Sequence, residues 1–375
     1  MRKLRVGVIG GGTQARVGHI PWWIKNPNSE LIAVAEPSKD VADGLIKEFK
    51  IGNVYTNTER PDLEMLDKED LDVVSVCTPP GLHCEHTVEA AKRGIHVLCE
   101  KPMALTVEDC DKMIIACEKN HVKLQIGFMK RYNLGFQRIK EIIDMGELGT
   151  IGYVHLHWTL PPKMSRPPAP KGVERIPEQW MGGGFMADGP HYIDQFRWLI
   201  GEIKSICGEY RPASRGPSGF FGDVSIAVLR FENDSIGIIH RGAGYCDPNT
   251  GSLYEHGEVD GMDGSIRWKV PAFSSFELPE IHTMKGVMDC LVPIQPPIAS
   301  DPYVNYQFYR QIEGFIDCIN NDSQPLVTGK DGRVATEIVL AFFKSVDEGR
   351  TVKLPLEGSP NLPGIMKNLI EKTRK

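Results

Sequence analysis

A glycine-rich turn near the start of the chain has the spacing that dinucleotide binding requires. The apolar, β-branched run Leu4–Ile9 predicts a buried strand, and it leads directly into a G-x-G-x-x-A pattern. The first glycine of this pattern permits a tight turn, and the second lets backbone N–H groups approach a pyrophosphate. A second buried run, Leu31–Ala35, ends at Glu36, where a carboxylate can accept hydrogen bonds from an adenosine ribose. The residues predicted to bind the dinucleotide in this segment are Gly10, Gly12, Thr13, Gln14 and Glu36.

Two later strand ends bring polar residues to the same edge of the predicted sheet. The run Val73–Cys77 stops at a Thr-Pro-Pro sequence, and the run Ile95–Cys99 stops at a Glu-Lys-Pro sequence. Open α/β sheets bind their ligands at the carboxyl ends of the strands. We therefore expect these two loops to line the nicotinamide end of a dinucleotide. The predicted contacts are Thr78, Pro79, His83, Glu100 and Lys101.

The second half of the chain contains an aspartate and a histidine that can handle protons. Asp188 and His191 follow three consecutive glycines, Gly182–Gly184. They precede an apolar-periodic stretch that predicts a helix over Tyr192–Ile200, so we expect both side chains at a helix start, facing a cleft. Because the ordinary pKa of imidazole lies near working pH, His191 is the natural general acid and base. Asp188 is expected to hold a substrate hydroxyl or to orient the imidazole, and Asp194 either joins this site or caps the helix.

Other polar and aromatic side chains have both a binding and a packing interpretation. His155 and His157 lie two residues apart and project from one face of the strand predicted over Ile151–Trp158. Arg131 and Tyr132 follow the last predicted strand of the first half, where they can reach substrate oxygens. We predict Arg131 and His157 as substrate-binding residues. Three tryptophans can stack on a sugar or pack in a core: Trp22, Trp23 and Trp180.

The elements that position these residues alternate in the first half of the chain. Strands there are separated by predicted helices, and this alternation is typical of a doubly wound parallel sheet of the Rossmann kind. Pro21 would interrupt a helix that runs from Thr13, so we expect a longer loop or a late helix start. The helices predicted in this half cover Val41–Phe49, His83–Arg93 and Asp109–Asn120.

After Asn133 the pattern changes to one long helix followed by successive alternating strands. Such strands without intervening helices predict an α+β domain with a large, mostly antiparallel open sheet. The Pro-rich segment Pro161–Pro170 is expected to be a loop. We place an NAD(P)-binding Rossmann domain at residues 1–128 and a substrate-binding and oligomerisation domain at residues 129–375.

Composition narrows the class of protein. A chain of 375 residues exceeds what one core usually serves, while 41% hydrophobic and 25% charged residues are ordinary for a globular protein. A net charge of −6 without a polybasic run argues against a nucleic-acid partner, and no apolar run is long enough to cross a membrane. Nine cysteines without a C-x-x-C pair, and the lack of a signal-peptide core, favour the cytoplasm. The His-Cys-Glu-His sequence at His83 lacks a second ligand group at suitable spacing, so we predict no metal site.

Four motifs occur in a fixed order along the chain. The glycine turn is followed by CTPPGLHCEHT, then by CEKPMA, and in the second half by GGGFMADGPHYIDQFRWLIG. In this order and spacing the chain resembles the Gfo/Idh/MocA oxidoreductases, which include glucose–fructose oxidoreductase and inositol dehydrogenase. The resemblance extends from Val6 to about Leu354 and implies a nicotinamide-binding Rossmann domain followed by a domain with an open antiparallel sheet. The family pattern places its Asp four residues before the His. Here the separation is three, so either the turn is shorter or Ala187 occupies the family's Asp position.

The resemblance implies an NAD(P)-dependent dehydrogenase that acts on a secondary alcohol of a sugar, polyol or glycoside. Oxidation of a carbinol needs its proton removed, and the developing alkoxide favours a nearby cation. We expect Lys101 to polarise the hydroxyl and His191 to accept its proton. Glu36 favours NAD because a carboxylate repels a 2′-phosphate, although Ser38 and Lys39 leave NADP possible.

Two other functions fit the same fold. One is an NAD-dependent enzyme that cleaves glycosides through transient oxidation and elimination. The other is a non-catalytic NAD-binding sensor, which would not need both Lys101 and His191. In either case the open sheet face predicts burial in a dimer or tetramer of this chain.

Overall fold

The computed structural model of the chain describes residues 2–56, 58–160, 183–211, 223–243, 254–271, 279–284, 286–288 and 306–373. These residues form two compact units. The first contains the described residues up to 129 together with 307–336, and the second contains the described residues of 130–306 and 337–373. The domain boundary predicted between residues 128 and 129 stays a prediction. The loop expected at Pro161–Pro170, the residue Trp180 and the first of the three glycines, Gly182, lie outside the described residues.

Strands and helices of the described residues are numbered here in chain order. The strands are β1 Leu4–Ile9, β2 Ser29–Ala35, β3 Asn53–Tyr55, β4 Val73–Val76, β5 His96–Cys99, β6 Leu124–Ile126, β7 Ile151–Leu160, β8 Ile203–Arg211, β9 Val224–Phe231, β10 Ile236–Ala243, β11 Tyr254–Gly261, β12 Gly264–Pro271, β13 Glu280–Thr283, β14 Gly286–Met288 and β15 Val352–Lys353. The α-helices are α1 Ile20–Lys25, α2 Lys39–Phe49, α3 Pro61–Lys68, α4 His83–Lys92, α5 Val107–Lys119, α6 Leu134–Asp144, α7 Gly183–Ile200, α8 Tyr306–Asn320, α9 Gly329–Glu348 and α10 Leu362–Thr373. None of these helices combines the length and apolar character that crossing a bilayer requires.

The first unit is built on a six-stranded parallel sheet in the order β3-β2-β1-β4-β5-β6. This is the Rossmann strand order, and the predicted doubly wound sheet is confirmed. The direction of the connections reverses between β1 and β4, so the carboxyl ends of these strands mark the edge at which such sheets bind ligands. All four residues of strand β4 are buried, as is typical of a parallel sheet, and this agrees with its mostly apolar sequence.

The chain is helical directly after the glycine turn, from Thr13 to Lys25, but the helix is not regular along its length. Ala15–His19 forms a π-helical turn, and α1 begins at Ile20 with Pro21 in its first turn. Proline is tolerated there because the first N–H groups of a helix have no partner within the helix. The late helix start predicted from Pro21 is wrong, because Thr13 and Gln14 are already helical, and the π-helical turn was not predicted.

The second unit contains a nine-stranded sheet within the described residues, in the order β14-β13-β12-β11-β7-β10-β9-β8-β15. All neighbouring strands run antiparallel except β7 and β10, which run parallel. This confirms the predicted mostly antiparallel sheet. On one face, apolar side chains such as Leu156 and Ile239 are fully buried, and helix α7 contacts β7 and β10. The other face exposes large apolar side chains, among them Ile226 and Val228.

The helix start predicted at Tyr192 is wrong. Helix α7 is present from Gly183 onward, so Asp188 and His191 lie inside it, and Pro190 lies within the helix. The earlier start has a physical cause, because the N–H group of Gly184 donates to the Asp223 carboxylate at 3.2 Å. A carboxylate at this end satisfies an N–H group that lacks a helical partner.

Candidate active site

The glycine turn of the first unit has the shape that a pyrophosphate needs. Gly10 has a φ of +92°, and a Cβ there would lie 3.0 Å from the backbone of Cys77. A side chain at this position is therefore excluded by both conformation and space. Gly12 is exposed, and a Cβ added to it would meet no described atom within 4 Å. The backbone at Gly12 thus borders open space beside β1, which fits the bound dinucleotide expected at this turn.

Glu36 holds the glycine turn against the end of β2. Its carboxylate accepts the N–H of Gly11 at 2.7 Å and the N–H of Ser38 at 2.9 Å, and the residue is buried. Both bonds involve a charged acceptor and are therefore stronger than neutral ones. The carboxylate places a negative charge where β2 ends, and its contact with an adenosine ribose stays a prediction.

Two histidines organise the loop that follows β4. Thr78 Oγ1 lies 3.0 Å from Nδ1 of His86, whose pKa is lowered to about 4 mainly by burial. Nε2 of His83 lies 2.8 Å from the carbonyl oxygen of Thr78, and Nδ1 of His83 lies 2.9 Å from the carbonyl oxygen of Pro102. His83 therefore ties the loop after β4 to the loop after β5. Its direct contact with a cofactor, like those of Thr78 and Pro79, stays a prediction.

Glu100 is a buried carboxylate with three donors. Its Oε1 lies 2.9 Å from Nε2 of His19 and 3.1 Å from Nε2 of Gln14, while its Oε2 accepts the N–H of Lys101 at 3.1 Å. Burial alone would raise the pKa of Glu100, but the hydrogen bond from His19 and the charge of Lys101 lower it below its ordinary value. The ionised carboxylate thus joins the glycine turn to the segment that carries the half-buried Lys101.

Sequence reasoning did not identify His19 as part of this arrangement. The residue is fully buried in the π-helical turn that follows the glycine pattern. A polar residue in an otherwise apolar stretch, Val17–Trp23, was the available signal. Buried polar groups are nearly always hydrogen-bonded, so this position called for a partner within the fold.

In the second unit, Asp188 is paired with a buried arginine. The guanidinium of Arg241 donates from Nε to Asp188 at 3.0 Å and from Nη1 to Asp223 at 2.5 Å. It also stacks over the ring of Trp158 at 5.0 Å and is fully buried. This fixed cation orients the Asp188 carboxylate, whose side chain is 20% exposed. Neither Arg241 nor Asp223 was predicted.

Helix α7 also carries a second buried ion pair. Arg131 donates to both carboxylate oxygens of Asp194, at 2.9 and 2.6 Å. Asp194 lies inside α7 and so does not cap that helix, and its carboxylate is held by a bidentate charged contact. His191 lies one turn before Asp194 and is buried with an exposed fraction of 7%. The binding of substrate by Arg131 and the acid–base role of His191 stay predictions.

His157 does not lie on the face of the sheet that α7 covers, and its binding of substrate stays a prediction. Adjacent strand residues point to opposite faces, and Trp158 lies on the α7 side of the sheet, where its ring approaches Tyr192. His157 therefore points to the opposite face. There its Nδ1 lies 2.7 Å from Nδ1 of His240, and its ring stacks on His256 with centroids 4.7 Å apart. Across the described residues, no group of three or more His, Cys, Asp or Glu side chains is arranged to hold a metal ion.

Known protein families match nearly the whole chain. A model described as an oxidoreductase family with an NAD-binding Rossmann fold matches residues 4–128. A model described as the C-terminal α/β domain of the oxidoreductase family matches residues 140–354. Both matches keep the order of the two predicted domains.

Relatives and solved structures agree with these matches. The myo-inositol 2-dehydrogenase of Thermotoga maritima is 28% identical over 359 residues, which cover 94% of this chain and 98% of the relative. The D-glucoside 3-dehydrogenase of Escherichia coli is 27% identical over 358 residues, covering 94% and 97%. The WlbA dehydrogenase of Bordetella pertussis, solved with NADH and UDP-GlcNAcA, has a TM-score of 0.75 at 24% identity, covering 95% of this chain and 100% of that one. This structural likeness shows a shared fold.

Proposed function

The chain belongs to the Gfo/Idh/MocA oxidoreductase family, and on that premise we propose that it is an NAD-dependent dehydrogenase acting on a secondary alcohol or ketone of a sugar, polyol or glycoside. The family supplies the NAD-binding Rossmann fold, and the named relatives supply the substrate class. The single observation that carries the proposal is Lys101, which directly follows the buried, ionised Glu100 at the carboxyl edge of a Rossmann sheet.

The roles of the chain's own residues follow from the chemistry of carbinol oxidation. Bound NAD supplies the hydride acceptor. Lys101 donates a hydrogen bond to the substrate oxygen and stabilises the negative charge that develops there. His191 accepts the hydroxyl proton, and in the reducing direction it returns that proton. Asp188, oriented by Arg241, is proposed to hold a neighbouring substrate hydroxyl.

The cofactor site is proposed to use the residues already described. Gly10 and Gly12 admit the pyrophosphate, with Thr13 and Gln14 beside it, and Glu36 accepts from the ribose. Thr78, Pro79, His83 and Glu100 shape the nicotinamide end. The carboxylate of Glu36 favours NAD over NADP because it repels a 2′-phosphate.

A substrate screen with two variants tests this function. The protein is assayed with NAD and NADP against sugars, inositols and glycosides, following the absorbance of the reduced nicotinamide. We expect reduction of NAD with at least one of them, and a loss of about 100-fold or more in kcat for Lys101→Met and for His191→Asn. Lys112→Met, an exposed change on α5, is the matched control and keeps full turnover. Full turnover by Lys101→Met, or release of an aglycone without NADH, would overturn the proposal.

We also propose that this chain assembles with copies of itself through the open face of the second sheet. Ile226 and Val228 are 42% and 44% exposed on β9, and they follow one another along one face of the strand. Exposed neighbouring apolar side chains on a flat sheet favour association. Size-exclusion chromatography with light scattering should show a dimer or tetramer, and Ile226→Glu with Val228→Glu should shift it toward the monomer. A monomeric wild type would refute this.

A cytoplasmic location is proposed on the chemistry of the thiols. The seven cysteines among the described residues are all free, and five of them are buried. Free thiols persist in a reducing compartment. Fractionation of cells that express the protein tests this, and recovery outside the cytoplasm would contradict it.

A further inference from the structure

Four buried polar side chains form a continuous line inside the first unit. The indole N–H of Trp23 donates to Oγ of Ser75 at 2.7 Å, and Ser75 Oγ lies 3.1 Å from Nδ1 of His19. Nε2 of His19 lies 2.9 Å from Oε1 of Glu100. The first three residues of this line are fully buried, and Glu100 is 3% exposed.

The direction of each hydrogen bond in this line can be deduced. An indole N–H only donates, so Ser75 accepts from Trp23 and its own hydroxyl proton is available for Nδ1 of His19. The ring of His19 then carries its proton on Nε2 and donates to Glu100. The opposite tautomer would place a bare nitrogen against an ionised carboxylate, which is repulsive. Because the line ends at an indole that cannot accept a proton, it orients groups and does not conduct protons.

The groups around Glu100 hold its carboxylate in one position. Gln14 and the backbone of Lys101 occupy further acceptor sites on its two oxygens. A Cβ on Gly127 would lie 2.8 Å from Oε1, so β6 closes the space on that side. The carboxylate is therefore set between the glycine turn and the segment that carries Lys101.

We propose that His19 is a positioning residue for the hydride-transfer site. By donating to Glu100, it keeps that carboxylate ionised and in one orientation, and Glu100 in turn fixes Gln14 and the backbone of Lys101. The role of Lys101 rests on the proposed function. The orientation of Glu100 and its effect on cofactor binding do not depend on any substrate.

The pH dependence of NADH binding tests this role without a substrate. His19→Leu removes the donor, whereas His19→Gln presents an amide N–H near the place of Nε2. Without His19 the pKa of Glu100 rises, so the carboxylate takes up a proton as the pH falls. For His19→Leu we expect NADH affinity, followed by fluorescence, about tenfold weaker at pH 6 than at pH 8, because a charged hydrogen bond is lost. For the wild type and His19→Gln, NADH affinity should differ by less than about threefold between pH 6 and pH 8, which is well under the value of one charged hydrogen bond.

A control and a second variant keep the test decisive. His96→Leu, at the opposite end of β5, removes a half-buried acceptor for the Lys123 N–H and should leave the pH dependence of NADH binding unchanged. Ser75→Ala removes the group that fixes the tautomer of His19, and it should shift binding in the same direction as His19→Leu but by less. If His19→Leu does not fold, Ser75→Ala carries the test. The inference is overturned if His19→Leu and Ser75→Ala bind NADH as the wild type does at every pH. It is also overturned if His19→Gln behaves like His19→Leu.

The role of His19 and the proposed function can be refuted independently of each other. If no sugar, polyol or glycoside is oxidised but NADH binding changes as expected, the function is wrong and the role of His19 in cofactor binding stands. If the wild type oxidises a substrate with dependence on Lys101 and His19→Leu keeps the wild-type profile, only the inference is wrong. With a substrate in hand, His19→Leu should also lower kcat by about tenfold, the value of one charged hydrogen bond, with little change in KM.

Discussion

Glu36 contacts the glycine turn and also controls the charge at the end of β2. Its carboxylate accepts from Gly11 and Ser38, so a neutral replacement changes both the turn and the local charge. We expect Glu36→Gln to lower kcat/KM with NAD by about 10- to 100-fold, the value of one charged hydrogen bond, and to raise the ratio of NADP to NAD activity. Steady-state kinetics with both cofactors measure this. Glu30→Gln, an exposed change on the same strand, is the control, and an unchanged cofactor ratio in Glu36→Gln would contradict the prediction.

Arg241 is the residue whose loss should cost the second unit most stability. Removing its guanidinium leaves Asp188 and Asp223 without their shared cation in a buried setting. We expect Arg241→Met to lower the free energy of unfolding by about 3–5 kcal/mol, measured by urea titration. Asp188→Asn should cost less because Asp223 keeps its pair. Arg267→Met, at an exposed arginine 3.5 Å from Glu258, is the control and should change stability by about 0–1 kcal/mol. Equal losses for Arg241→Met and Arg267→Met would contradict the assignment.

The sequence predicts residues whose role is set by their immediate neighbours along the chain. The glycine turn, Glu36 and the Glu-Lys-Pro segment belong to this class, because strand-turn geometry depends on adjacent residues. Arg241 belongs to the other class, since its partners Asp188 and Asp223 lie 53 and 18 residues away. Only the packing of α7 on the sheet joins them. For the same reason the face on which His157 lies could not be assigned from its strand alone.

At the scale of elements, helix α7 and strand β10 are fitted to each other through a glycine. A Cβ on Gly184 would lie 2.1 Å from the guanidinium carbon of Arg241. Although a guanidinium ends a flexible side chain, this one is fully buried and held by two carboxylates, so it cannot move aside. The close approach explains why a glycine stands inside the helix despite its poor helix propensity.

Alanine at this position should therefore destabilise the protein. Overpacking costs about 1–3 kcal/mol, which exceeds the roughly 1 kcal/mol that alanine gains over glycine in a helix. We expect Gly184→Ala to lower the urea midpoint. Gly364→Ala in α10 is the matched control, because the nearest atoms there belong to the exposed side chain of Asn361, and it should be neutral or slightly stabilising. If Gly184→Ala is more stable than the wild type, the guanidinium of Arg241 can move aside and the prediction is wrong.

At the scale of the whole molecule, each unit of the chain has one sheet, and the sequence predicted the first sheet more fully than the second. The doubly wound parallel sheet of the first unit was predicted, because strands and helices alternate regularly along that part of the chain. In the second sheet, β7 and β10 pair in parallel although 75 residues lie between the end of β7 at Leu160 and the start of β10 at Ile236. A pairing between strands so distant leaves no local signal, so the mixed character of this sheet could not be read from the sequence.

The open face of that sheet carries four histidines whose charge should make the molecule sensitive to acid. His155, His157, His240 and His256 form one cluster. Burial lowers the pKa of each, and neighbouring histidines lower it further for the last three, that of His157 to about 4. Glu258 partly opposes this shift for His155 and His256, and Lys269 adds to it for His256. A histidine with a lowered pKa in the folded state favours the neutral form. The stability that the neutral imidazole contributes is fully present above the unfolded pKa of about 6.5. It is lost as the pH falls toward the lower pKa of the folded state.

We therefore expect the free energy of unfolding to fall between pH 6.5 and 5, a window above the ordinary titration of most carboxyl groups. The loss should be less than about 1 kcal/mol for each imidazole, because these side chains are half exposed and water screens their charges. Urea titrations at pH 8 and pH 5 measure it. Replacing His157 and His240 together by Gln removes two titrating groups, including the pair whose Nδ1 atoms lie 2.7 Å apart, and should reduce the difference between the two pH values. Lys112→Gln, an exposed change on α5 in the first unit, removes no imidazole and should keep the wild-type difference. If the double variant loses as much stability at pH 5 as the wild type does, the cluster is not the source of the acid sensitivity.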